Sequence, residues 1–231
     1  MSTCIGNCVG CAKINHSLFD DLNDNELKTI NQFRIKYDFK KGEYLYKEGE
    51  PIKGLICLNQ GKVKVVKKGN IEEEFIVKFH KPVDFVGFDD LMYDGICSSS
   101  TVALEDVSIC IIKKEQFFNV ISQNSELALK IISNQSKKTI EYQDKFLNVA
   151  QQNIEARLAF SLNQLVEFFG FEKDNKTIAV SLKRKEIAAI SNMNTANVIR
   201  CLSNLKDKKI IDTYSRKIII LNYDLLKQLF N

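Results

Sequence analysis

Three of the seven cysteines lie close together near the start of the chain. Cys4, Cys8 and Cys11 are separated by three and two residues, in a segment whose glycines and lack of apolar periodicity predict a loop. Thiolates are soft ligands, and four of them arranged tetrahedrally hold either an iron–sulfur cluster or a structural zinc ion. The spacing therefore indicates a metal site that needs a fourth ligand, with the absence of any metal as the alternative.

Between residues 183 and 208 the apolar residues follow the pattern of two short helices joined by a tight turn. The first predicted helix covers residues 183–192, and its small Ala188 and Ala189 allow the second, over residues 194–208, to approach closely. Two apolar runs joined by a short turn at residues 215–216 follow, which predicts a β-hairpin. This order is typical of a winged helix-turn-helix, and it predicts double-stranded DNA as a partner.

The second helix of such a motif presents its N-terminal outward side chains to base edges in the major groove. Thr195, Asn197 and Arg200 have that placement, and Arg200 can form two hydrogen bonds with one guanine. Basic side chains that suit the phosphate backbone are Arg184, Lys206, Lys208, Arg216 and Lys217. These residues form the predicted DNA-binding site.

The charge distribution agrees with an anionic partner. The 231-residue chain has a formal net charge of +4, and residues 151–231 carry 13 basic against 8 acidic side chains. A basic domain attached to a near-neutral one favours a polyanion as its ligand. Paired catalytic carboxylates, a phosphate-binding glycine loop or a Ser-His-Asp arrangement do not stand out, so we predict that the protein is not an enzyme.

The sequence also bears on where the protein works. No run approaches the roughly 18 apolar residues of a membrane span, and the first residues lack the basic head and apolar core of a signal peptide. We therefore predict a cytoplasmic protein with no membrane partner. Disulfides are rare in that compartment, so an odd number of cysteines favours metal binding or simple burial.

Turn signals recur between residues 37 and 112, where Lys41-Gly42, Gln60-Gly61 and Asp94-Gly95 separate short β-rich runs. This spacing predicts an antiparallel β-roll, and the whole chain reads as an α+β fold. The predicted parts are a cysteine-rich segment over residues 1–16, a β-roll sensor domain over 17–115, a long dimerisation helix over 116–152 and a winged helix-turn-helix DNA-binding domain over 153–231.

The predicted long helix contains neither glycine nor proline and has an apolar stripe at a spacing of three or four residues. The stripe consists of Ile132, Thr139, Tyr142, Phe146 and Val149. Such a stripe packs against another apolar surface. We favour the seam of a parallel homodimer, and packing within the same domain is the alternative.

Five short motifs occur in a fixed order along the chain. They are KGEYLYKEGE at 41–50, GKVK at 61–64, DFVGFD at 84–89, VALEDVSICII at 102–112 and NIEARLAF at 153–160. In this order they resemble the CRP/FNR family, named for the cyclic-AMP receptor and the fumarate-nitrate-reduction regulator. The resemblance implies a cyclic-nucleotide-binding-like jelly roll, a homodimer on DNA and RNA polymerase as a further partner.

The third and fourth motifs are similar to the oxygen-sensing branch of that family, in which a distant cysteine completes an iron–sulfur cluster. The resemblance implies that Cys110 joins Cys4, Cys8 and Cys11 around a [4Fe-4S] cluster, and that oxygen, redox state or nitric oxide controls the protein. Cys97, in a predicted loop, is the alternative fourth ligand.

The sequence departs from the cyclic-nucleotide binders of the family at their ligand site. Those proteins have Gly-Glu-Leu and then Arg-Ser or Arg-Thr, where the arginine holds the cyclic phosphate. The corresponding stretches here are residues 87–89, Gly-Phe-Asp, and residues 98–100, Ser-Ser-Ser. With no arginine to neutralise a phosphate, cyclic AMP is not a predicted effector.

The DNA-binding segment departs from the family at two positions. Ala196 stands where most relatives carry a glutamate that reads cytosine, and its methyl can contact only a thymine methyl. Lys183 replaces the usual Ser or Thr cap of the first helix, so the sequence predicts either capping by Ser181 or weak capping. A DNA-binding regulator with a small-molecule ligand or no ligand in the β-roll, and no metal, is the alternative function.

Overall fold

The computed structural model describes Phe19, residues 22–69 and residues 74–230, with the side chains of residues 145, 148 and 149 excepted. The described residues form two compact units. The first contains those up to residue 68 together with 77–139, and the second contains those of 69–76 together with 140–230.

Two four-stranded sheets make up the β-roll. The first has the order β1-β8-β3-β6, with β1 Arg34–Phe39, β3 Gly54–Gln60, β6 Phe85–Val86 and β8 Val107–Lys113. The second has the order β2-β7-β4-β5, with β2 Tyr44–Tyr46, β4 Val63–Lys68, β5 Glu74–His80 and β7 Ser100–Ala103. Strand pairs with a defined register are antiparallel. The predicted antiparallel β-roll is confirmed.

Side chains of β8 alternate between two apolar clusters because successive residues of a strand point to opposite faces. Val107 and Ile109 lie in the cluster enclosed by the roll, together with Val63 of β4. Ile112 lies in the other cluster, which helices cover. Those helices are α1 Asp24–Gln32, α2 Phe88–Tyr93, α3 Lys114–Gln123 and the first turns of α4 Ser125–Gln151. Phe19 packs in this helix-covered cluster as well.

Asn124 interrupts the segment that the sequence presents as one long helix. Its backbone leaves the helical region, so α3 ends at Gln123 and α4 begins at Ser125. The Asn124 side chain accepts a hydrogen bond from the Leu127 N–H at 2.9 Å and donates one to Glu26 of α1 at 2.9 Å. An asparagine in this role caps the following helix, which explains a break without glycine or proline. In the described part of the chain, no helix combines the length and the hydropathy that a membrane span requires.

Apart from residues 69–76, the second unit begins in the C-terminal half of α4. It continues with α5 Ile154–Phe169, α6 Arg184–Ser191, α7 Thr195–Asp207, β9 Ile211–Tyr214, β10 Lys217–Ile220 and α8 Tyr223–Gln228. Leu158 and Leu162 of α5 and Val198 and Leu205 of α7 are fully buried. Their burial provides the apolar core on which the helix-turn-helix rests. The predicted winged helix-turn-helix is confirmed.

Two glycines at predicted turns share a left-handed backbone but differ in the space around them. Gly42 has φ +89° with nothing within 4 Å of an added Cβ, whereas Gly61 has φ +83° with Asp106 O only 2.5 Å from that position. We expect Gly42→Ala to lower the free energy of unfolding of the β-roll by roughly 1–2 kcal/mol, the cost of a left-handed residue.

Gly61→Ala should lower the free energy of unfolding by about 1–3 kcal/mol more than Gly42→Ala, because the backbone must move to admit the methyl group. Hydrogen exchange of the β4 and β8 segments in the full chain measures both changes. Equal losses in the two variants would contradict the steric account of Gly61.

Candidate nucleic-acid interface and cysteine site

The turn between α6 and α7 is held from three sides. Asn192 ends α6 in a left-handed conformation, and the Met193 N–H donates to Ala188 O at 3.1 Å. Arg157 of α5 donates from Nη1 to Asn192 O at 3.3 Å. Asn194 accepts from the Asn197 N–H at 2.8 Å and so caps α7. These bonds determine the angle at which α7 leaves α6, which a helix must maintain to enter a DNA groove.

The start of α6 is capped differently from the expectation. Lys183 occupies the N-cap position and makes no capping bond with its side chain. Glu186, three residues later, accepts a hydrogen bond from the Lys183 N–H at 2.9 Å. This is the reciprocal half of a capping box, which needs no Ser or Thr. The expectation that Ser181 supplies the cap is therefore wrong.

Helix α7 has one buried and one exposed side. Val198, Cys201, Leu202 and Leu205 are buried against the rest of the unit. The exposed side chains of its first turns are Ala196, Ile199, Arg200 and Ser203. Residues three or four apart are neighbours on a helix, so these four form one continuous surface.

The three predicted base-reading residues are not equally placed. Arg200 is exposed on that surface, whereas Thr195 and Asn197 are half-buried at its sides. Arg200 donates from Nη2 to Asn197 Oδ1 at 3.2 Å, so Asn197 holds the guanidinium. Ile199 was not among the predicted site residues. The available signal was that this isoleucine lies outside the apolar spacing of Val198, Leu202 and Leu205, which predicts exposure.

The lysines that are predicted to bind phosphates already pair with carboxylates of the protein. Lys206 pairs with Asp212 at 2.7 Å and Lys217 pairs with Glu172 at 2.8 Å. Lys208 pairs with Glu155. These pairs would compete with phosphates for the ammonium groups.

Two arginines lie at or beside the turn of the wing, the β9–β10 hairpin. Arg216 is exposed within the turn. Arg184 is half-buried and donates from Nη2 to Ser215 O at 3.5 Å, which ties α6 to the wing turn. Burial lowers the pKa of Arg184, but a guanidinium keeps its charge at neutral pH.

The cysteine site is only partly within the described residues. Cys4, Cys8 and Cys11 lie outside them. Cys110 is buried on β8, two residues from Ile112 and so on the face that the helices cover. Its Sγ accepts a hydrogen bond from Arg34 Nη1 at 3.6 Å. Cys57 of β3 is its register partner on the neighbouring strand.

Cys97 has different surroundings. It is buried in the apolar cluster inside the roll. Burial, together with Asp90 and Glu50, raises the pKa of the Cys97 thiol to about 11. A metal ion bound here would have to displace the thiol proton, so the raised pKa weakens metal binding at neutral pH. Among the residues that the structure describes, no three His, Cys, Asp or Glu side chains are grouped to hold a metal ion.

The stretches that correspond to the nucleotide site are occupied by internal contacts. Ser99 and Ser100 are buried, and Ser100 Oγ accepts from the Glu48 N–H at 2.9 Å. Asp89 accepts from Lys78 Nζ at 3.0 Å and from Gln135 Nε2 at 2.7 Å. Ser100 and Asp89 are therefore engaged with the protein itself.

A β-roll followed by a winged helix-turn-helix defines a class of DNA-binding transcription regulators. Residues 37–124 match the family model described as cyclic nucleotide-binding domain, and residues 156–229 match the one described as Crp-like helix-turn-helix domain. Together the two matches span more than half of the chain. The chain belongs to the CRP/FNR family of transcription regulators.

Two curated relatives extend over almost the whole chain. Electron transport regulator A of Shewanella oneidensis is 26% identical, covering 96% of this chain and 89% of its own length. The fumarate and nitrate reduction regulatory protein of Vibrio cholerae is 26% identical, covering 98% and 91%. Among solved structures, FixK2 from Bradyrhizobium japonicum has the same fold, with a TM-score of 0.74 and 20% identity over 86% of this chain and 98% of its own.

The ion pair of Lys206 with Asp212 generates a prediction. Lys206, together with the Thr213 N–H, lowers the pKa of Asp212, so this carboxylate is charged at any physiological pH. We expect Asp212→Asn to strengthen DNA binding roughly two- to fivefold at low salt, because it frees Lys206 for a phosphate and removes a repulsive charge. The slope of log affinity against log salt should steepen by up to about one.

Asp224→Asn is the matched control, because it removes an exposed carboxylate that pairs with Lys227 on α8, outside the helix-turn-helix and wing. Titrations of one duplex at several salt concentrations compare the two variants. The same gain from both would mean that net charge, rather than the release of Lys206, changes the affinity.

Proposed function

We propose that this protein is a sequence-specific regulator that binds double-stranded DNA through α7, with Arg200 contacting a guanine in the major groove. The observation that carries the proposal is the guanidinium of Arg200, exposed on the outward side of α7 and held by Asn197 at 3.2 Å. A held guanidinium can donate two parallel hydrogen bonds to guanine O6 and N7 with little loss of side-chain entropy. Thr195 and Asn197 contact the DNA from the sides of α7.

Backbone contacts come from the basic residues around α7. Arg216 at the wing turn is placed to bind phosphate directly, while Lys206 and Lys217 exchange their carboxylate partners for phosphates. Arg184 positions the wing turn and adds positive charge beside it. A regulator of this kind acts where the DNA is, so we place it in the cytoplasm, with RNA polymerase as the partner through which it affects transcription. We assign it no catalytic activity.

The test replaces Arg200. Operator fragments are first selected from randomised duplexes, and affinities are then measured for selected and unrelated DNA at fixed salt. We expect Arg200→Ala to reduce the ratio of specific to non-specific affinity by about ten- to a hundredfold, the contribution of one bidentate base contact.

Arg200→Lys serves as the control because it keeps the charge and loses the planar fork. It should bind unrelated DNA like the parent protein and still lose most of the discrimination. Failure of the parent protein to retain any duplex at low salt, in either oxidation state, would overturn the proposal.

We also propose that the protein works as a homodimer whose seam is the exposed side of α4. Ile132, Ile140 and Phe146 are 60%, 59% and 71% exposed, and Leu129 and Leu147 are exposed as well. Apolar side chains repeated along several turns of a helix are rarely left in water. Their exposure supports a second copy of the chain as the partner, rather than packing within one domain.

For the signal we propose a [4Fe-4S] cluster held by Cys4, Cys8, Cys11 and Cys110. Phe19 packs on the sheet face that carries Cys110, and the eight residues from Cys11 to Phe19 can span up to about 27 Å. The charged donor Arg34 at the Cys110 sulfur suits a ligand that bears negative charge. When bound, the cluster would supply iron that reacts with oxygen or nitric oxide.

The relatives support this assignment by their names, which refer to fumarate and nitrate reduction and to anaerobic regulation. Cyclic AMP is not proposed as an effector, because Asp89 and Ser100 are engaged internally and no arginine occupies the phosphate position. The α4 helices of the two copies would transmit the state of the cluster, because the bound cluster would favour one of two dimer arrangements.

Metal content after strictly anaerobic purification tests the cluster, with the dimer fraction measured on the same sample by sedimentation. We expect about four iron atoms and four acid-labile sulfides per chain, which air should destroy while DNA binding weakens. Cys110→Ser should abolish the iron, and Cys97→Ser, the matched change at a second buried cysteine, should keep it. Circular dichroism of both variants checks that each of them folds.

Zinc in place of iron would support the structural metal instead. Metal-free protein that binds its operator tightly would support the regulator with a small-molecule ligand or none. Loss of iron in Cys97→Ser but not in Cys110→Ser would make Cys97 the fourth ligand.

A further inference from the structure

Ile199 is 54% exposed on the outward side of the DNA-reading helix α7. The buried side of that helix is already filled by Val198, Leu202 and Leu205, so Ile199 is not needed for packing. A β-branched residue is also a weaker helix former than the lysine or glutamate usual at an exposed position. An isoleucine here therefore points to a contact made only in a complex.

The neighbours of Ile199 narrow the chemistry of that contact. Ala196 lies three residues before it and Ser203 four residues after it, both exposed on the same surface. Residues 195–202 contain no acidic side chain, so the part of α7 nearest the bases has no carboxylate to accept from a cytosine amino group. What this surface offers is two apolar side chains, the guanidinium of Arg200 and, one turn further on, the hydroxyl of Ser203.

Among the base edges in the major groove, the C5 methyl of thymine is the one apolar group. We propose that Ile199 determines operator specificity by packing on a thymine methyl next to the guanine that Arg200 contacts, with Ala196 leaving room for that approach. Adjacent helix residues diverge by about 100°, so Ile199 and Arg200 contact neighbouring base pairs rather than the same one. The inference rests on the proposed DNA-binding function and specifies a base within it.

Deoxyuridine substitution tests the inference because deoxyuridine pairs like thymidine and lacks only the methyl group. Each thymine of a selected half-site is replaced singly, and the affinity of the parent protein and of Ile199→Ala is measured for every duplex. For the parent protein we expect about a fourfold loss at one or two thymines, the effect of uncovering one methyl group, and little change elsewhere. Ile199→Ala should lose a similar factor on thymine DNA and be insensitive to deoxyuridine at those positions.

Arg200→Ala is the matched control on the same surface, and it should keep the sensitivity to deoxyuridine while losing discrimination at the guanine. Ile199→Val, which keeps a branched apolar side chain, should retain part of the thymine preference. Because Ile199 is exposed, the thermal unfolding of these variants should match that of the parent protein, which excludes misfolding as the cause.

The outcomes separate the inference from the function on which it rests. If the parent protein binds no duplex, the DNA-binding function fails. If it binds selected DNA with no loss at any deoxyuridine, or if Ile199→Ala and the parent protein respond alike, the thymine contact is overturned while DNA binding stands. If Ile199→Ala binds DNA normally and instead loses transcription with RNA polymerase, the exposed isoleucine serves a protein contact and the inference is overturned.

Discussion

Helix α7 must satisfy two requirements at once, and the arrangement of the second unit follows from them. Its buried side, with Val198 and Leu205, has to pack on α5 tightly enough to hold the helix, while its other side has to stay exposed for DNA. The turn before it has to stay in place, because a rotation of the helix would turn Arg200 away from the outward surface. The bonds of Arg157 and Asn194 to this turn and helix prevent that rotation.

Asparagine side chains cap the N-termini of five of the eight helices in the described part of the chain. Asn23, Asn124, Asn153, Asn194 and Asn222 each accept hydrogen bonds from backbone N–H groups of the following first turn. Each bond satisfies donors that the helix cannot pair itself. These caps set where a helix starts, and they do so through local bonds rather than through distant packing. Asn124 in this way separates α3 from α4 within a segment whose other residues favour one continuous helix.

Cys110 links the β-roll to the proposed sensing function. The alternation of side chains along β8 decides on which face of the sheet this cysteine lies. Residues of one parity fill the roll, and those of the other parity, Cys110 and Ile112, face the helices. Phe19 packs on this second face. A thiol shifted by one position would lie inside the roll, where Cys97 already is and where burial holds the pKa of that thiol near 11. The two candidate ligands therefore lie on opposite faces of this sheet, Cys97 inside the roll and Cys110 on the face that the helices cover.

The sequence was enough to predict the β-roll and the winged helix-turn-helix, because turn glycines and the periods of apolar residues are local signals. It also singled out Arg200, and the relatives and fold agree with the class of protein so predicted. Three features could be seen only in the folded chain. Lys206 and Lys217 are already paired, Glu186 rather than Ser181 serves the start of α6, and Ile199 is exposed. Those features depend on which side chains meet across elements distant in sequence, and no local spacing contains that information.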